Sequence, residues 1–512
     1  MNPGKRGIRP NCLEGTRTDI LKEIYAWAED SSQQNILWLS GSPGTGKSAI
    51  TSTVVSHLSK QQPTVAFCFE RGHAILGDPA ALWRTIAFGL ACHDSAIQND
   101  IVDVINDPKM DLNNGIMYHF KHLIEEPLTR NYKVFAVNHP LVIVVDALDE
   151  CNSSNSTSAP RQFLLQTFRK WTKLSKQFKL LVAARPESDI SRCLDDISQH
   201  IVLETGDKVT PQTSHDIRYF LEHHFSKIAM DYHPKLSTWP EPAAIDQLTK
   251  QAAGLFIWAE TVIRFMKQGV PTKQLSLILN GNLATADIDS LYLTILQSSF
   301  ENSTLEAFNV VVGCIILAHL PLTCHDLEKL LYGVETDISI AFVLDRVKPV
   351  ISNDNENGLQ ITHQSFVDFL KDTKRSTKAF AIDQAKQSKR LALGCLSTMI
   401  GQGGLRFNIC NLDTSYIFND QIVDLETYIK AAIPSHLVYA CCFWAEHIQD
   451  IPEHSLDLEM LDKVHTFAYH HLLHWLEVLS LINEFSIASR ALNAACQCFW
   501  VSTMARFPGF ED

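Results

Sequence analysis

Residues 41–48 constrain the fold of this chain more than any other stretch. They read GSPGTGKS and match the pattern G-x-x-x-x-G-K-[ST] in full. A short apolar run, residues 36–39, precedes them, and the residues from Ala49 onward are compatible with a helix. The sequence therefore predicts a strand, a glycine-rich loop and a helix, in the order that a phosphate-binding loop requires.

A loop of this kind binds phosphate because its backbone N–H groups point inward and the next helix presents its positive end to the anion. Lys47 is expected to reach the β- and γ-phosphates, and the Ser48 hydroxyl is expected to hold Mg²⁺. The alternative is a plain strand–turn–helix without a ligand. The residues predicted to contact the nucleotide are Gly41, Ser42, Pro43, Gly44, Thr45, Gly46, Lys47 and Ser48.

A second apolar run, residues 141–145, ends in the acidic sequence 146–150. Such a run is typical of a parallel strand buried on both faces, and a carboxylate at its end lies at the ligand edge of the sheet. Asp146 is therefore the candidate that holds Mg²⁺ through its water shell, and Asp149 or Glu150 could orient the attacking water. The alternative is a solvated turn after a core strand, which the combination with the glycine loop disfavours.

Another buried strand is predicted at residues 179–184, and Arg185 follows it. An arginine at a strand end beside the phosphates can sense or stabilise the charge of the γ-phosphate. A surface salt bridge is nearly as compatible with this position. Further strands are predicted at residues 64–69 and 201–203, and a helix within residues 11–30 is expected to be capped by Thr16 or Thr18.

From Thr213 onward the apolar period is helical, and Thr213 with Asp216 forms a plausible capping pair. Helices followed by a hairpin (residues 350–351 and 359–362) give the pattern of a winged helix. Because this segment has no basic recognition helix, we interpret it as a protein-packing module. The predicted fold is an α/β P-loop NTPase domain with a parallel sheet (11–210), a small all-α helical domain (211–302), a winged helix (303–375) and a helical C-terminal domain (376–512).

Charge and apolar patterning exclude several function classes. The 512 residues carry 44 basic and 57 acidic side chains, a net charge of -13, which disfavours non-specific nucleic-acid binding. The longest apolar run, residues 308–322, is too short for a bilayer, so no membrane span is expected.

The histidines and cysteines give only weak signals of a metal site. The 13 cysteines include no CxxC pair and suggest a reducing, cytoplasmic compartment, with Cys441, Cys442, Cys496 and Cys498 as small buried residues. His470 and His474 have a spacing that could bind a metal, but buried or interfacial histidines are favoured.

Taken together, these segments resemble the fungal NACHT-type STAND NTPases, a group that includes vegetative-incompatibility and NACHT–WD-repeat proteins. The matching stretches are CLEGTR, ILWLSGSPGTGKSAI, LVIVVDALDEC, LLVAARPE, AAGLFIWAETVIRFM, HQSFVDFL, LVYACCFWAEHI and LLHWLEVLSL. The resemblance implies a nucleotide-gated switch that rests closed with ADP or GDP. Exchange for ATP or GTP would open it to oligomerise, with itself or with related NACHT proteins, and to signal in non-self recognition or programmed cell death.

The resemblance also implies roles for individual residues. Asp149 and Glu150 match the acidic extension of the second nucleotide motif, and Arg185 matches the sensor position, although AARPE here departs from the commoner TSRPE. His363 matches the winged-helix histidine that touches the β-phosphate in the closed state of related proteins. The alternative for His363 is a helix-start residue that packs against Phe366 and Phe369.

Related proteins carry an N-terminal effector domain and a C-terminal repeat sensor, and neither is recognisable in this sequence. We therefore expect the switch core alone, as a short gene product, a fragment or a natural truncation, with its effector or sensor partner unknown. The leading functional hypothesis is an ATP- or GTP-binding signalling switch with slow hydrolysis. Two alternatives stay open: a turnover P-loop ATPase that remodels a substrate, and a non-switching adaptor or decoy that pairs with full-length relatives.

Overall fold

The computed structural model describes eleven ranges of the chain, which form two compact units, Met1–Leu291 and Tyr292–Asp512. We call these the first unit and the second unit. The described ranges are 10–71, 75–107, 115–132, 140–151, 159–232, 239–281, 287–331, 339–354, 358–414, 416–452 and 455–506, with side chains described up to residue 496.

A five-stranded parallel sheet organises the first unit, as the sequence predicts. Its strands lie in the order β2-β3-β4-β1-β5, so that the glycine loop and the acidic segment leave the same edge. The strands are β1 (Ile36–Gly41), β2 (Thr64–Cys68), β3 (Leu141–Asp146), β4 (Phe178–Ala184) and β5 (Gln199–Leu203).

Helices cover both faces of this sheet because alternate side chains of each strand point to opposite sides. Leu37 and Leu39 pack with the helices on one face, whereas Ile36 and Trp38 belong to the apolar cluster of the other face. The helices of the sheet region are α1 (Thr18–Glu29), α2 (Lys47–Leu58), α3 (Ala81–His93), α4 (Ser95–Asn106), α5 (Ile116–His119), α6 (Glu126–Arg130), α7 (Ala159–Trp171) and α8 (Ser188–Leu194), with a π-helical turn at Phe120–Glu125 between α5 and α6.

The first unit continues in a helical segment that lies next to the glycine loop. Its helices are α9 (Pro211–Asp231), α10 (Pro242–Ala252), α11 (Phe256–Met266) and α12 (Pro271–Asn280), followed by α13 (Ile288–Ser299) at the boundary of the two units. The predicted division at residue 210 stays a prediction.

The described residues of the second unit are helical or irregular apart from a hairpin, β6 (Ile351–Asp354) with β7 (Gly358–Ile361). Helices before and after this hairpin follow the element order that the sequence predicts, and the winged helix itself stays a prediction. The helices are α14 (Leu305–Leu317), α15 (Cys324–Leu331), α16 (Ile340–Val347), α17 (Gln364–Lys371), α18 (Thr373–Phe380), α19 (Gln384–Ile400), α20 (Leu425–Ala432), α21 (Ser435–Gln449), α22 (Leu458–His470), α23 (Leu472–Leu481) and α24 (Ile487–Arg506).

Two predicted helix caps are wrong. Helix α1 begins after Arg17, which has a left-handed backbone (φ 56°), and no side chain caps it. Helix α9 begins at Pro211, and the Thr210 hydroxyl accepts the hydrogen bond from the Thr213 backbone N–H. Thr213 and Asp216 therefore lie inside the helix, where their side chains are buried and serve another contact, described below.

Two further predictions about cysteine and histidine need correction. Cys441 and Cys442 are buried as expected, but Cys496 is exposed. His470 is exposed and His474 is half-buried, and the turn at His471 puts them on different helices. Their spacing of four residues therefore does not place them on one helical face.

Among the described residues, no single helix is long and apolar enough to cross a membrane. One bent pair, Ile288–Ser299 with Asn302–Leu317, passes the same test on length and composition.

Candidate nucleotide-binding site

The glycine loop joins the end of β1 to the start of α2 through a backbone that needs its glycines. Gly44 and Gly46 have φ angles of 82° and 92°, in the left-handed region that other residues rarely adopt. A Cβ atom at Gly41 would lie 2.9 Å from both Leu203 Cβ and Thr45 Oγ1. The sequence pattern and the local backbone therefore agree.

Lys47, the first residue of α2, turns its ammonium back over this loop. Its Nζ donates hydrogen bonds to the carbonyl oxygens of Gly41 (2.7 Å) and Ser42 (3.0 Å). Burial lowers the pKa of Lys47 to about 8, although the charge of Asp149 opposes that shift. Hydrogen bonds to two carbonyls hold this cation where a phosphate would meet the loop.

Asp146 ends β3 at the same edge of the sheet and offers an oxygen to a cation. Its Oδ2 accepts a weak hydrogen bond from Cys68 Sγ at 3.6 Å. Its Oδ1 is buried and has no hydrogen-bond partner among the residues that the structure describes. Buried carboxylate oxygens normally have a partner, and Mg²⁺ prefers oxygen ligands such as this one and the hydroxyl of Ser48. The donor set therefore fits Mg²⁺.

Asp149 and Arg185 contact each other at the ends of the neighbouring strands β3 and β4. Arg185 Nε lies 2.9 Å from Asp149 Oδ2, and the Arg185 backbone N–H donates to Asp149 Oδ1 at 3.0 Å. The side chain of Asp149 is 4% exposed and that of Arg185 is 19% exposed. The pair is therefore an internal contact at the ligand edge of the sheet and not a surface salt bridge.

Glu150 lies beside Asp149 on a single 3-10 turn, Leu148–Glu150, which follows β3. The turn begins after Ala147 in a left-handed conformation (φ 54°), and the Glu150 N–H donates to the Ala147 carbonyl at 2.8 Å. Both carboxylates are buried. The structure thus brings the two predicted acidic residues to the sheet edge, where Asp149 pairs with Arg185.

Arg17 contacts the glycine loop and was missed by the sequence reasoning. Its Nη2 donates to the Thr45 carbonyl at 2.8 Å and its Nη1 donates to Thr213 Oγ1 at 2.9 Å. Its backbone N–H donates to Asp216 Oδ2 at 2.9 Å, and its guanidinium carbon lies 4.7 Å from the centre of the Phe256 ring. The position of Arg17 in the stretch CLEGTR was the only signal, because its partners are 28 to 199 residues away.

The start of α11 makes a second contact with the loop. The Ile257 backbone N–H donates to the Gly44 carbonyl at 3.0 Å. The turn before α11 is tight, since Gly254 has a φ of 92° and a Cβ there would lie 2.8 Å from the Glu204 carbonyl oxygen. Two consecutive loop carbonyls, those of Gly44 and Thr45, are therefore hydrogen-bonded by groups outside the loop.

His363 belongs to the second unit, where it caps helix α17. Its Nδ1 accepts a hydrogen bond from the Ser365 backbone N–H at 3.1 Å and lies 2.7 Å from Ser365 Oγ. Ser365 Oγ in turn lies 2.9 Å from Tyr292 Oη. His363 therefore lies at the start of a helix, as its alternative role expects, while its packing against Phe366 and Phe369 and its contact with a nucleotide both stay predictions.

Known proteins are similar in sequence to the part of the chain that forms this site. The family model for the N-terminal part of nephrocystin 3 matches residues 15–185, from the turn before Arg17 to Arg185. The vegetative incompatibility protein HET-E-1 of Podospora anserina is 21% identical over 516 aligned residues, which cover 92% of this chain and 36% of that protein. The chain therefore spans about a third of the length of this curated relative.

Two solved structures match the chain at low sequence identity and with TM-scores below 0.5. A signal transduction ATPase with numerous domains (STAND) from Pyrococcus horikoshii, with a tetratricopeptide repeat sensor, is 10% identical with a TM-score of 0.42. The match covers 99% of this chain and 69% of that one. A Walker-type ATPase of Pyrococcus abyssi is 12% identical with a TM-score of 0.34. That match covers 69% of this chain and 96% of the ATPase chain.

The segment matched by the nephrocystin 3 model contains the glycine loop and the acidic turn, and the likeness to HET-E-1 extends over most of the chain. The resemblance of this chain to the fungal NACHT-type STAND P-loop NTPases is thereby confirmed.

Proposed function

We propose that this chain binds ATP or GTP with Mg²⁺ and works as a NACHT-type signalling switch that hydrolyses its nucleotide slowly. The observation that carries this proposal is the convergence of three groups at one sheet edge. These are the left-handed glycine loop, the Lys47 ammonium held over it, and the buried Oδ1 of Asp146, which has no hydrogen-bond partner in the described part of the chain. A phosphate chain with a bound dication supplies partners for all three.

Ser48 and Asp146 would hold Mg²⁺. When bound, this ion would neutralise part of the negative charge of the phosphates. Lys47 would exchange its two carbonyl hydrogen bonds for contacts with phosphate oxygens. The loop N–H groups and the start of α2 bind and orient the same phosphates. Asp149 pairs with Arg185, and we propose Glu150 as the residue that orients the attacking water.

The hydrogen bonds to the glycine loop support a switch. Arg17 and the start of α11 bind adjacent loop carbonyls, and Arg17 also binds Thr213 and Asp216 on α9. A change in the loop on nucleotide exchange would therefore alter contacts with both helices. A ligand can shift a conformational equilibrium only through such differential contacts.

The likeness to HET-E-1 supports the broader assignment. We propose that the switch controls oligomerisation, with other copies or related NACHT proteins, or the binding of a protein partner in the cytoplasm. A response of the vegetative-incompatibility kind is the proposed process. The net charge of -13 argues against nucleic acid as a partner.

Nucleotide binding by wild type and Lys47→Ala tests this proposal. Labelled ATP, ADP, GTP and GDP are titrated with Mg²⁺, nucleotides that co-purify are identified, and thermal unfolding is recorded in parallel. We expect Lys47→Ala to lose most triphosphate affinity without unfolding, because Lys47 is a half-buried loop cation and not a core residue. Lys60→Ala, an exposed lysine just beyond α2, is the matched control.

Two outcomes would contradict the proposal. Equal triphosphate affinity in wild type and Lys47→Ala would exclude the phosphate-binding loop. Rapid steady-state hydrolysis without accumulation of a diphosphate complex would favour the turnover ATPase over the switch.

A further inference from the structure

Two histidines of the second unit, far along the chain from the nucleotide motifs, have buried ring nitrogens without partners. His319 follows the end of α14, and His447 lies in the last turn of α21. His319 Nε2 and His447 Nδ1 are buried and have no hydrogen-bond partner among the described residues. His447 is completely buried.

Asp450, the residue after the end of α21, completes this cluster. One ligand atom of each of the three residues lies within 4.8 Å of the others. Two atoms bound to one tetrahedral zinc ion at about 2.0–2.1 Å lie about 3.4 Å apart, so the ligand atoms would have to close by up to about 1.4 Å. Asp450 is exposed and gives a cation a route from solvent.

Tyr439 fixes the orientation of the His447 ring. Its Oη lies 2.8 Å from His447 Nε2, and it also accepts a hydrogen bond from the His319 backbone N–H at 3.2 Å. The two imidazole rings are 4.8 Å apart, and the His319 ring stacks on Phe443. Metal-binding histidines typically use one ring nitrogen for such an orienting hydrogen bond and leave the other for the ion.

Burial and nearby charged groups both act on the two imidazoles. Burial lowers the pKa of His319, and it lowers the pKa of His447 well below the ordinary value. Asp450 and Glu446 lie close enough to His319 to oppose the shift, and Arg490, which pairs with Glu446, acts in the other direction.

We propose that His319, His447 and Asp450 bind a transition-metal dication of the Zn²⁺ class. Imidazole nitrogen with carboxylate oxygen is a ligand set that such ions use, and three protein ligands leave a fourth position for water. The ion would link the end of α14 to the end of α21. It is thus a structural element of the second unit, independent of the nucleotide and of Mg²⁺.

Titration of the chelator-treated full chain with Co²⁺ tests this site. Co²⁺ reports its coordination by visible absorption, and excess Mg²⁺ covers the oxygen site at Ser48 and Asp146. We expect one Co²⁺ per chain that Zn²⁺ displaces, with a rise in the unfolding temperature. Zn²⁺ alone is a poorer probe, because 13 cysteines could bind it.

Substitutions at the proposed ligands test whether Co²⁺ binds to this cluster or to other side chains of the chain. Asp450→Asn and His319→Gln should each lower Co²⁺ affinity at least about 10-fold, and Tyr439→Phe should lower it about 10- to 100-fold as an orienting partner. Asp462→Asn and His465→Gln, exposed residues of α22, are matched controls that should keep wild-type affinity.

The result that would overturn the proposal is the absence of Co²⁺ binding by wild type, which would leave the cluster to a buried water molecule. Equal affinity in wild type, Asp450→Asn and His319→Gln would also overturn it. Because Asp450 is exposed, Asp450→Asn is expected to fold. The test therefore gives an answer even if a substitution at a more buried position, such as Tyr439→Phe, prevents folding.

Discussion

Arg17 and Thr45 are joined by a hydrogen bond of 2.8 Å from the guanidinium Nη2 to the backbone carbonyl, in the middle of the glycine loop. Arg17 is 4% exposed, and Thr45 is completely buried. A hydrogen bond to a charged, buried donor is worth about 1.5–3 kcal/mol. The geometry of the glycine loop therefore depends on a residue that precedes the whole sheet.

The first prediction concerns this contact. Arg17→Gln should lower triphosphate affinity about 10-fold and lower the free energy of unfolding by about 2 kcal/mol, because loop and helix α9 lose a shared charged donor. Thr213→Val, which removes only one acceptor, should have a smaller effect on affinity. Nucleotide titration and urea unfolding measure the two quantities.

Arg192→Gln serves as the control, since Arg192 is exposed. If Arg17→Gln destabilises the chain but binds triphosphate as wild type does, Arg17 has only a structural role.

The second prediction is a proton uptake on nucleotide binding. The pKa of Lys47 is about 8 in the chain without nucleotide, lowered mainly by burial, and a phosphate beside it should raise that pKa. Binding therefore favours the protonated lysine. Triphosphate affinity should be highest below pH 8 and should fall as the pH rises above 8.

Calorimetry at pH 8.5 in two buffers of different ionisation enthalpy measures this uptake directly. Residual binding by Lys47→Ala should show no comparable uptake. Tight binding by wild type with no buffer dependence at pH 8.5 would contradict the assignment of Lys47 as the phosphate contact.

The third prediction separates Asp149 from Glu150. Glu150→Gln should leave nucleotide binding nearly unchanged and slow hydrolysis, because the amide keeps the shape but loses the charge that polarises water. Asp149→Asn should instead lower the free energy of unfolding by about 3 kcal/mol, since it removes the carboxylate charge that pairs with Arg185 inside the fold. Single-turnover hydrolysis and urea unfolding are measured for both variants.

A double-mutant cycle with Arg185→Gln provides the control. The variant that carries both substitutions should recover part of the free energy of unfolding that Asp149→Asn loses. Slow hydrolysis in Asp149→Asn with an unchanged rate in Glu150→Gln would reverse the two roles.

The fourth prediction tests His363 as a contact of the bound diphosphate. His363→Leu removes both the cap of α17 and any phosphate contact, and a lost cap alone costs about 1 kcal/mol. His363→Asn keeps a side chain that caps helices well. We therefore expect His363→Asn to retain stability, to weaken ADP or GDP affinity more than triphosphate affinity, and to enlarge the particle in small-angle scattering.

Ser365→Ala is the matched control for this contact, because it removes the partner of His363 within the cap. Equal loss of both affinities in His363→Asn would limit His363 to its structural role.

Local sequence was sufficient for the elements that depend on near neighbours. The glycine pattern predicted the loop between β1 and α2, because left-handed φ angles at Gly44 and Gly46 are a property of the residues themselves. The unbroken apolar run before Asp146 predicted a parallel strand buried on both faces, because such a strand cannot alternate with polar residues. The resemblance to the NACHT group followed from the same motifs.

Local sequence was insufficient to predict the contact partner of a side chain that could bind more than one group. Thr213 and Asp216 have the composition of a helix cap, yet they bind Arg17, which is nearly 200 residues earlier. Arg185 was compatible with a surface ion pair until the packing of β3 beside β4 placed it against Asp149.

The sequence by itself determined the parallel sheet and the glycine loop, because backbone preference and apolar period act over a few residues. Which residues face a phosphate stays a prediction. Only the tertiary structure decided which groups hold that loop in place and which buried nitrogens lack a partner. Such contacts join residues distant in the chain, and burial, which sets the free-energy cost of leaving them unpaired, is a property of the folded molecule alone.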